Sequence, residues 1–245
     1  MAGNQDRPLW IPRQGERALT VGQTGSGKTT FQIWLLQRTQ NSPIVIYDTK
    51  DEPKFLNLPN HRVVTTLRDA NDAVDDVETD YVVFRPPVDI LADPSSLDAL
   101  LRFHYEHWRG VDAYIDELYS FHTGGNAGPG LVALYTRGRS RGISTFSSTQ
   151  RPAFISRFSM SEAQVFFVFR LNDLKDRKRI SEASGMPLLE NPPQHHFYIF
   201  RAGEDAARLV KPISVDGSKS YGYVDAPPAS PDEQDENPVR SHLWF

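Results

Sequence analysis

A glycine-rich stretch near the start of the chain carries the strongest chemical signal in the sequence. Residues 22–29 read Gly-Gln-Thr-Gly-Ser-Gly-Lys-Thr, which matches the phosphate-binding pattern G-x-x-x-x-G-K-[ST]. In such a loop the backbone N–H groups converge on phosphate oxygens, the lysine reaches the β- and γ-phosphates, and the threonine hydroxyl binds Mg²⁺. We predict that Lys28 is catalytic, that Thr29 holds the metal, and that the nucleotide is bound by consecutive residues: Gly22, Gln23, Thr24, Gly25, Ser26, Gly27, Lys28, Thr29 and Thr30.

Two neighbouring carboxylates end an apolar run further along the chain. Residues 112–117 read Asp-Ala-Tyr-Ile-Asp-Glu, which is typical of a buried strand whose last residues reach the ligand-binding edge of a sheet. We predict that Asp116 holds Mg²⁺, directly or through water, and that Glu117 polarises a water molecule for attack on the γ-phosphate. The alternative is two acids that cap a strand end; the intact phosphate-binding loop upstream favours the catalytic interpretation.

A glutamine ends the next apolar run. Gln150 follows the predicted strand 143–149. If that strand lies between the phosphate-loop strand and the strand of Asp116, the Gln150 amide reaches the γ-phosphate and senses whether a triphosphate or a diphosphate is bound. The alternative is an ordinary polar residue at the start of a loop.

Several basic residues are candidates for action across a subunit boundary. Residues 137–141 read Arg-Gly-Arg-Ser-Arg, and Arg170 ends another apolar run. The cluster could stabilise a helix C-terminus, or one arginine could serve as a finger that stabilises transition-state charge in a neighbouring subunit. The residues alone leave open which of these arginines would act. Asp48 and Lys50 likewise could contact water, metal or a neighbour, or form a simple ion pair.

Buried strands alternate with helices, which predicts a mainly parallel sheet covered on both faces. We expect an α/β P-loop NTPase fold (RecA/ASCE-like) with small β additions. Predicted strands span 18–21, 43–48, 62–65, 81–85, 112–117, 143–149 and 164–171, and predicted helices span 30–40, 69–79, 95–108, 131–137 and 172–184. A hairpin is expected at 195–201 and 208–212, and a glycine-rich loop at 122–130.

The composition divides the chain and excludes several classes of function. We predict an N-terminal lead-in at 1–17, a P-loop ATPase domain at 18–216 and an acidic, proline-rich flexible tail at 217–245, whose apolar tip either packs on the domain or docks a partner. The 245 residues include no cysteine, which excludes thiol catalysis and cysteine zinc sites, and the net charge of −4 leaves only local basic patches for nucleic acid. No apolar run suits a transmembrane segment or signal peptide, so we expect a protein that is not secreted.

These motifs together resemble a known superfamily. Residues 137–152 read R-G-R-S-R-G-I-S-T-F-S-S-T-Q-R-P, which resembles the G-R-x-x-G-I-x-x-x-x-x-T-Q-R-P segment of the FtsK–HerA superfamily of DNA-pumping ATPases. The phosphate-binding loop, Asp48-x-Lys50 and Asp116-Glu117 fit the same pattern. Because the chain has no β-barrel or membrane part, it most resembles the genome-packaging ATPases of internal-membrane icosahedral viruses.

The resemblance implies a function and an assembly. It implies that the subunits assemble into a ring, which by this resemblance is a hexamer. The ring would hydrolyse ATP with Mg²⁺ at sites between subunits and move double-stranded DNA through its centre without sequence preference. It also implies a capsid or membrane vertex protein as partner, and a location in the host cytoplasm or at the packaging vertex of the virion. Lys28, Thr29, Asp116, Glu117 and Gln150 would form the site, with Arg139 as the preferred finger.

Three rival functions remain at this point. The first is a cellular or plasmid DNA-transfer ATPase that lacks its membrane part. The second is an assembly or interaction protein in which ATP switches a docking surface. The third is a nucleotide or small-molecule kinase, against which Glu117 and the T-Q-R-P segment argue, because phosphoryl transfer to an acceptor does not need a water-activating carboxylate.

Overall fold

One ten-stranded sheet organises the protein. The computed structural model describes residues 11–39 and 43–213, together with the backbone of 223–224. The strand order is β12-β11-β10-β9-β1-β8-β5-β2-β4-β3. Its members are β1 (Arg17–Val21), β2 (Ile44–Asp48), β3 (His61–Val64), β4 (Tyr81–Phe84), β5 (Asp112–Asp116), β8 (Thr145–Thr149), β9 (Val165–Phe169), β10 (Phe197–Arg201), β11 (Arg208–Val210) and β12 (Tyr223–Val224).

The strands from β9 to β3 are parallel, and β10, β11 and β12 extend the sheet in antiparallel pairs. Parallel pairing places the carboxyl ends of β1, β8, β5 and β2 at one edge, which we call the carboxyl edge. The predicted position of β8 between β1 and β5 is confirmed. This order brings the ends of three predicted functional segments next to each other.

Helices cover both faces of the sheet. They are α1 (Lys28–Thr39), α2 (Leu67–Val74), α3 (Val88–Leu91), α4 (Pro94–His107), α5 (Pro129–Arg137), α6 (Arg157–Ser161) and α7 (Leu174–Ser184). Along β2, Ile44 and Ile46 pack in one apolar cluster with α1, whereas Val45 and Tyr47 pack in the cluster on the other face. A strand buried on both faces needs a continuous apolar run, which is why this segment lacks the alternation of a half-exposed strand. The predicted fold class is confirmed.

Several predicted boundaries differ from the structure for local reasons. Helix α1 begins at Lys28 rather than at residue 30. Helix α2 ends at Val74 rather than near 79, because the Asp76 carboxylate accepts hydrogen bonds from the Glu78 amide and the Thr79 hydroxyl and holds a turn there. The sheet begins at Arg17, one residue before the predicted domain limit.

Most of the predicted tail lies outside the described residues, so its flexibility and the role of its apolar tip remain predictions. Two of its residues are described: the backbone of Tyr223–Val224 forms β12 and pairs with β11. The sheet therefore extends beyond the predicted limit at 216.

The predicted glycine-rich loop is a short hairpin. Strands β6 (His122–Thr123) and β7 (Asn126–Ala127) pair across Gly124 and Gly125, whose φ angles are 57° and 81°. Positive φ at both central residues is the geometry of a type I′ turn, which glycine adopts without strain. The predicted glycine-rich loop therefore contains two short paired strands, and its tip is exposed.

Helices α4 and α5 approach so closely that one glycine has no room for a side chain. A Cβ on Gly130 would lie 2.2 Å from the Asp98 carbonyl oxygen and 2.5 Å from the Arg102 amide nitrogen. The buried Asp98 carboxylate also accepts hydrogen bonds from the Gly130 and Leu131 amides, at 2.8 and 2.9 Å. These contacts anchor the start of α5 on α4 and thereby position the connection that follows Glu117.

We expect Gly130→Ala to destabilise the protein by about 1–3 kcal/mol, because backbone rather than a flexible side chain opposes the new methyl group. Gly138→Ala is the matched control, since a Cβ there would meet its nearest neighbour, the Ile143 carbonyl oxygen, at 3.4 Å. Urea unfolding should show a lower midpoint for Gly130→Ala and a value within about 1 kcal/mol of wild type for Gly138→Ala. Equal stability of the two variants would contradict the close helix contact.

Candidate nucleotide-binding site

The phosphate-binding loop joins β1 to α1 at the carboxyl edge. The Gly22 amide donates to the Thr149 carbonyl at the end of β8, and the Gln23 amide donates to the Arg170 carbonyl after β9. A Cβ on Gly22 would lie 2.5 Å from Phe169 Cβ, so this position requires glycine. Two neighbouring strands therefore fix the start of the loop, and the N-terminus of α1 follows it with its free amide groups and partial positive charge.

Lys28 is buried at the first position of α1. Burial lowers the pKa of Lys28 to about 8; the nearby Lys50 also lowers it, whereas the Glu117 and Asp116 carboxylates oppose the shift. A cation that is poorly solvated gains much from a bound anion. Ser26 in the same loop has a buried hydroxyl with no hydrogen-bond partner among the described residues. Both features fit the binding of phosphate oxygens.

Asp116 ends β5 beside the loop. Its Oδ1 accepts hydrogen bonds from the Ser148 hydroxyl at 3.0 Å and the Tyr114 hydroxyl at 3.2 Å, which fix its orientation. Burial raises the pKa of this carboxyl, and the Lys50 ammonium partly offsets the rise. Asp116 and Thr29 line the same cavity and offer the oxygen ligands that Mg²⁺ prefers. No set of three or more acidic or histidine residues within the described ranges could hold a metal by itself, so nucleotide phosphates and water would complete the coordination.

Glu117 follows β5 in an unusual backbone conformation, with φ 69° and ψ 71°. Non-glycine residues adopt this region infrequently, and at functional sites it can orient a side chain. Glu117 Oε2 lies 2.6 Å from the Lys50 ammonium. Its Oε1 accepts hydrogen bonds from the Thr149 hydroxyl at 2.6 Å and the Gln150 amide at 3.2 Å. Both carboxylate oxygens are thus engaged by groups of this chain.

Gln150 reaches from the end of β8 to the phosphate-binding loop. Its Oε1 accepts a hydrogen bond from the Thr24 hydroxyl at 2.7 Å. The side chain therefore lies where a group on the terminal phosphate could replace the threonine contact. Its predicted sensing role is compatible with this position.

A cavity of about 490 Å³ connects these groups. Its phosphate side includes Lys28, Thr29, Asp116 and Gln150, and its other side is formed by residues that the sequence analysis did not assign to the site: Phe169, His195, Phe197, Pro212 and Ile213. His195 has a φ of 62°, and its Nδ1 would lie 3.5 Å from a Cβ on Gly27. Thr30 lines the cavity and accepts a hydrogen bond from Lys54 at 3.3 Å. The segment leading into β10 thus lies over the loop, a placement with no local sequence signal.

Asp48 and Lys50 form separate ion pairs rather than one with each other. The buried Asp48 carboxylate accepts a hydrogen bond from Arg85 Nε at 2.9 Å, and Lys50 pairs with Glu117. Arg85 was not identified as a functional residue from the sequence. The sequence does place Arg85 directly after a predicted strand. Only the strand order shows that this strand, β4, lies beside β2, so that Arg85 meets Asp48.

The candidate arginine fingers lie at opposite edges of the sheet. Arg139 precedes β8, and its Cγ would lie 2.8 Å from a Cβ on Gly15, which precedes β1. The length of β8 separates this amino edge from the carboxyl edge by about 16 Å, so Arg139 cannot serve the site of its own subunit. The guanidinium groups of Arg137 and Arg141 lie over the Tyr105 ring, at 5.3 and 4.3 Å from its centre. Arg137 and Arg139 are both exposed, and among the described residues Arg139 makes no such ring contact.

Arg170 differs from this cluster because it lies beside the phosphate-binding loop of its own chain. Its carbonyl accepts the hydrogen bond from Gln23. Within the described residues, Arg139 therefore combines exposure and the lack of a ring contact with a position that only a neighbouring site could use.

Comparisons with known proteins place this site in context. No family model matches the chain. The chain is 30% identical over 183 residues to the DNA packaging ATPase P9 of Enterobacteria phage PRD1, a match that covers 69% of this chain and 70% of P9.

Solved structures show the same fold. The genome packaging NTPase B204 of Sulfolobus turreted icosahedral virus 2, in complex with ATPγS, aligns with a TM-score of 0.64 at 20% identity, over 82% of this chain and 98% of B204. The bacterial conjugative coupling protein TrwB, in a form called TrwBdeltaN70, aligns with a TM-score of 0.57 at 11% identity, over 82% of this chain and 85% of that chain.

Proposed function

Because this chain belongs to the family of viral DNA-packaging ATPases represented by P9 of Enterobacteria phage PRD1, we propose that it is an ATP-hydrolysing motor that packages double-stranded viral DNA. The observation that carries the proposal is the convergence at one cavity of the phosphate-binding loop, Asp116 and Gln150, with Glu117 directly behind Lys50. A phosphate site flanked by a metal-binding carboxylate and a water-activating carboxylate suits hydrolysis rather than binding alone.

Substrate binding follows from the loop. The amide groups of residues 22–29 and the start of α1 hold the phosphates, and Lys28 neutralises the β- and γ-phosphates. Thr29 and Asp116 would hold Mg²⁺ together with phosphate oxygens. When bound, Mg²⁺ supplies positive charge that stabilises the phosphate groups during transfer. Burial of Lys28 makes its contact with phosphate stronger than it would be in water.

Hydrolysis requires activation of one water molecule. The water oxygen attacks the γ-phosphorus while Glu117 accepts a proton from that water molecule. The bond between the γ-phosphorus and the β–γ bridging oxygen breaks, which gives ADP and phosphate. Gln150 contacts the γ-phosphate in place of Thr24 and reports its loss after the reaction. Arg139 of a neighbouring subunit stabilises the charge that develops during transfer, which makes the site complete only in an oligomer.

The proposed assembly is a ring that surrounds double-stranded DNA. The resemblance to the superfamily implies six subunits. Sequence-independent contacts with backbone phosphates suit such a motor. The hairpin of β6 and β7 follows Glu117 closely along the chain and exposes Gly124 and Gly125, so it is the proposed DNA-contacting element. A capsid or membrane vertex protein would anchor the ring, which would act in the host cytoplasm or at the virion vertex. No helix in the described part of the chain has the length and apolarity of a bilayer-spanning helix.

The proposal is tested by steady-state ATP hydrolysis measured across a range of protein concentrations, with and without double-stranded DNA. Shared sites predict a specific activity that rises with concentration, and a DNA motor predicts a further rise when DNA is added. Two additions serve as controls: single-stranded DNA, and a mixture of candidate phosphoryl acceptors. Turnover that is independent of both concentration and DNA would contradict a ring motor and favour a nucleotide-gated switch.

A further inference from the structure

Lys50 is held at the carboxyl edge by a hydrogen-bonded turn. The buried Asp48 carboxylate accepts hydrogen bonds from the Lys50 amide at 3.2 Å and the Glu52 amide at 3.0 Å, and it also binds Arg85. The Thr49 hydroxyl donates to the Asp116 carbonyl at 2.9 Å, which ties the turn to β5. The backbone of Lys50 is therefore fixed, and its long side chain is the part that can move.

The Lys50 ammonium stands between the cavity and Glu117. It lines the cavity that also contains Lys28 and Gln150, whereas Glu117 lies behind it with 9% of its side chain exposed. Lys50 is the only charged group on Glu117 Oε2 within the described ranges, at 2.6 Å, and 41% of its own side chain is exposed. The ammonium thus pairs with the Glu117 carboxylate on one side and faces the open cavity, where a phosphate could bind, on the other.

We propose that Lys50 is a positioning residue that holds Glu117 in a resting arrangement and moves to the terminal phosphate when a nucleoside triphosphate binds. The inference rests on the proposed function of this site. Oε1 already accepts hydrogen bonds from Thr149 and Gln150, and the Lys50 ammonium on Oε2 lies between Glu117 and a water molecule at the γ-phosphate. Transfer of the ammonium to the γ-phosphate frees Oε2 for the water proton, and a diphosphate, which lacks that phosphate, leaves the resting pair in place.

This exchange makes a prediction about binding that is separate from turnover. In the wild-type protein, contact between Lys50 and the γ-phosphate requires loss of its contact with Glu117. In a Glu117→Gln background that contact is much weaker, so Lys50 contributes its full attraction to the nucleotide. Lys50→Met should therefore weaken triphosphate binding more in the Glu117→Gln background than in wild type.

The test is a double-mutant cycle read by calorimetric binding of β,γ-methylene ATP and of ADP, both with Mg²⁺. We expect the loss caused by Lys50→Met to be at least about fivefold larger in the Glu117→Gln background for the triphosphate, and equal within about twofold in both backgrounds for ADP. Lys54→Met is the matched control. Lys54 lines the same cavity but bonds to Thr30, so its effect should be independent of Glu117.

Two results would overturn the proposal. One is an additive cycle for the triphosphate, which would show that Lys50 and Glu117 act on the nucleotide independently. The other is the same coupling for ADP and the triphosphate, which would show a static structural ion pair. Circular dichroism confirms that each variant is folded before binding is compared. Because the readout is binding, a coupled cycle without DNA-stimulated hydrolysis would reject the motor function while supporting the role of Lys50.

Discussion

Replacement of Glu117 by glutamine is expected to lower kcat for ATP hydrolysis about 10²–10⁴-fold while triphosphate binding is retained or strengthened. Glutamine has nearly the same shape but cannot accept a proton from water, so the loss falls on the chemical step. Its side-chain oxygen can still accept the hydrogen bonds that Thr149 and the Gln150 amide donate to Glu117. The measurement is a single-turnover rate together with the affinity for β,γ-methylene ATP.

The control for this variant is Glu106→Gln. Glu106 is an exposed residue of α4 that pairs with Arg102 at 2.8 Å and does not line the nucleotide cavity. It should hydrolyse ATP at the wild-type rate. If Glu117→Gln kept more than about a tenth of wild-type kcat, Glu117 would not be the residue that activates water.

Replacement of Arg139 by alanine is expected to lower hydrolysis about 10³-fold or more in the assembled protein, because a finger stabilises charge that develops only in the transition state. The same change should leave nucleotide affinity nearly unaltered, since the charge that a finger stabilises is absent from the bound ground state. Arg137→Ala and Arg141→Ala are the matched controls: both side chains stack on Tyr105 and should cost far less activity.

Mixing experiments separate a finger in trans from a structural arginine. Arg139→Ala subunits keep an intact phosphate site, and Lys28→Ala subunits keep an intact arginine. When the two inactive proteins are mixed in equal amounts, activity should return at interfaces where the phosphate site of an Arg139→Ala subunit meets Arg139 of a Lys28→Ala subunit. If the mixture failed to hydrolyse ATP although both variants were folded and assembled, Arg139 would not be the finger, and Arg170 would be the next candidate to test.

The sequence was sufficient to predict the elements that carry the site. A short apolar strand, a glycine-rich loop and a helix form a local unit, so Gly22 and Lys28 could be placed without knowledge of distant contacts. Asp116 and Gln150 could be placed because the end of a buried parallel strand lies at a ligand-binding edge. The strand order then confirmed that these local units are neighbours.

The remaining features depend on contacts between distant segments. The engagement of Glu117 by Lys50 and Thr149 requires the ends of β5, β2 and β8 to be adjacent and in register, which periodicity does not specify. The placement of His195 over Gly27 requires β10 to run antiparallel along β9. Neither contact has a local pattern from which it could be predicted.

The most direct test of the motor is displacement of a third strand from a DNA triplex that is placed at the end of a long duplex. We predict that the wild-type protein with ATP and Mg²⁺ releases the third strand, with a delay that lengthens as the duplex is extended. Glu117→Gln and β,γ-methylene ATP should give no release. ATP hydrolysis that is stimulated by DNA but never displaces the strand, at any duplex length, would contradict the central claim that this ATPase moves DNA.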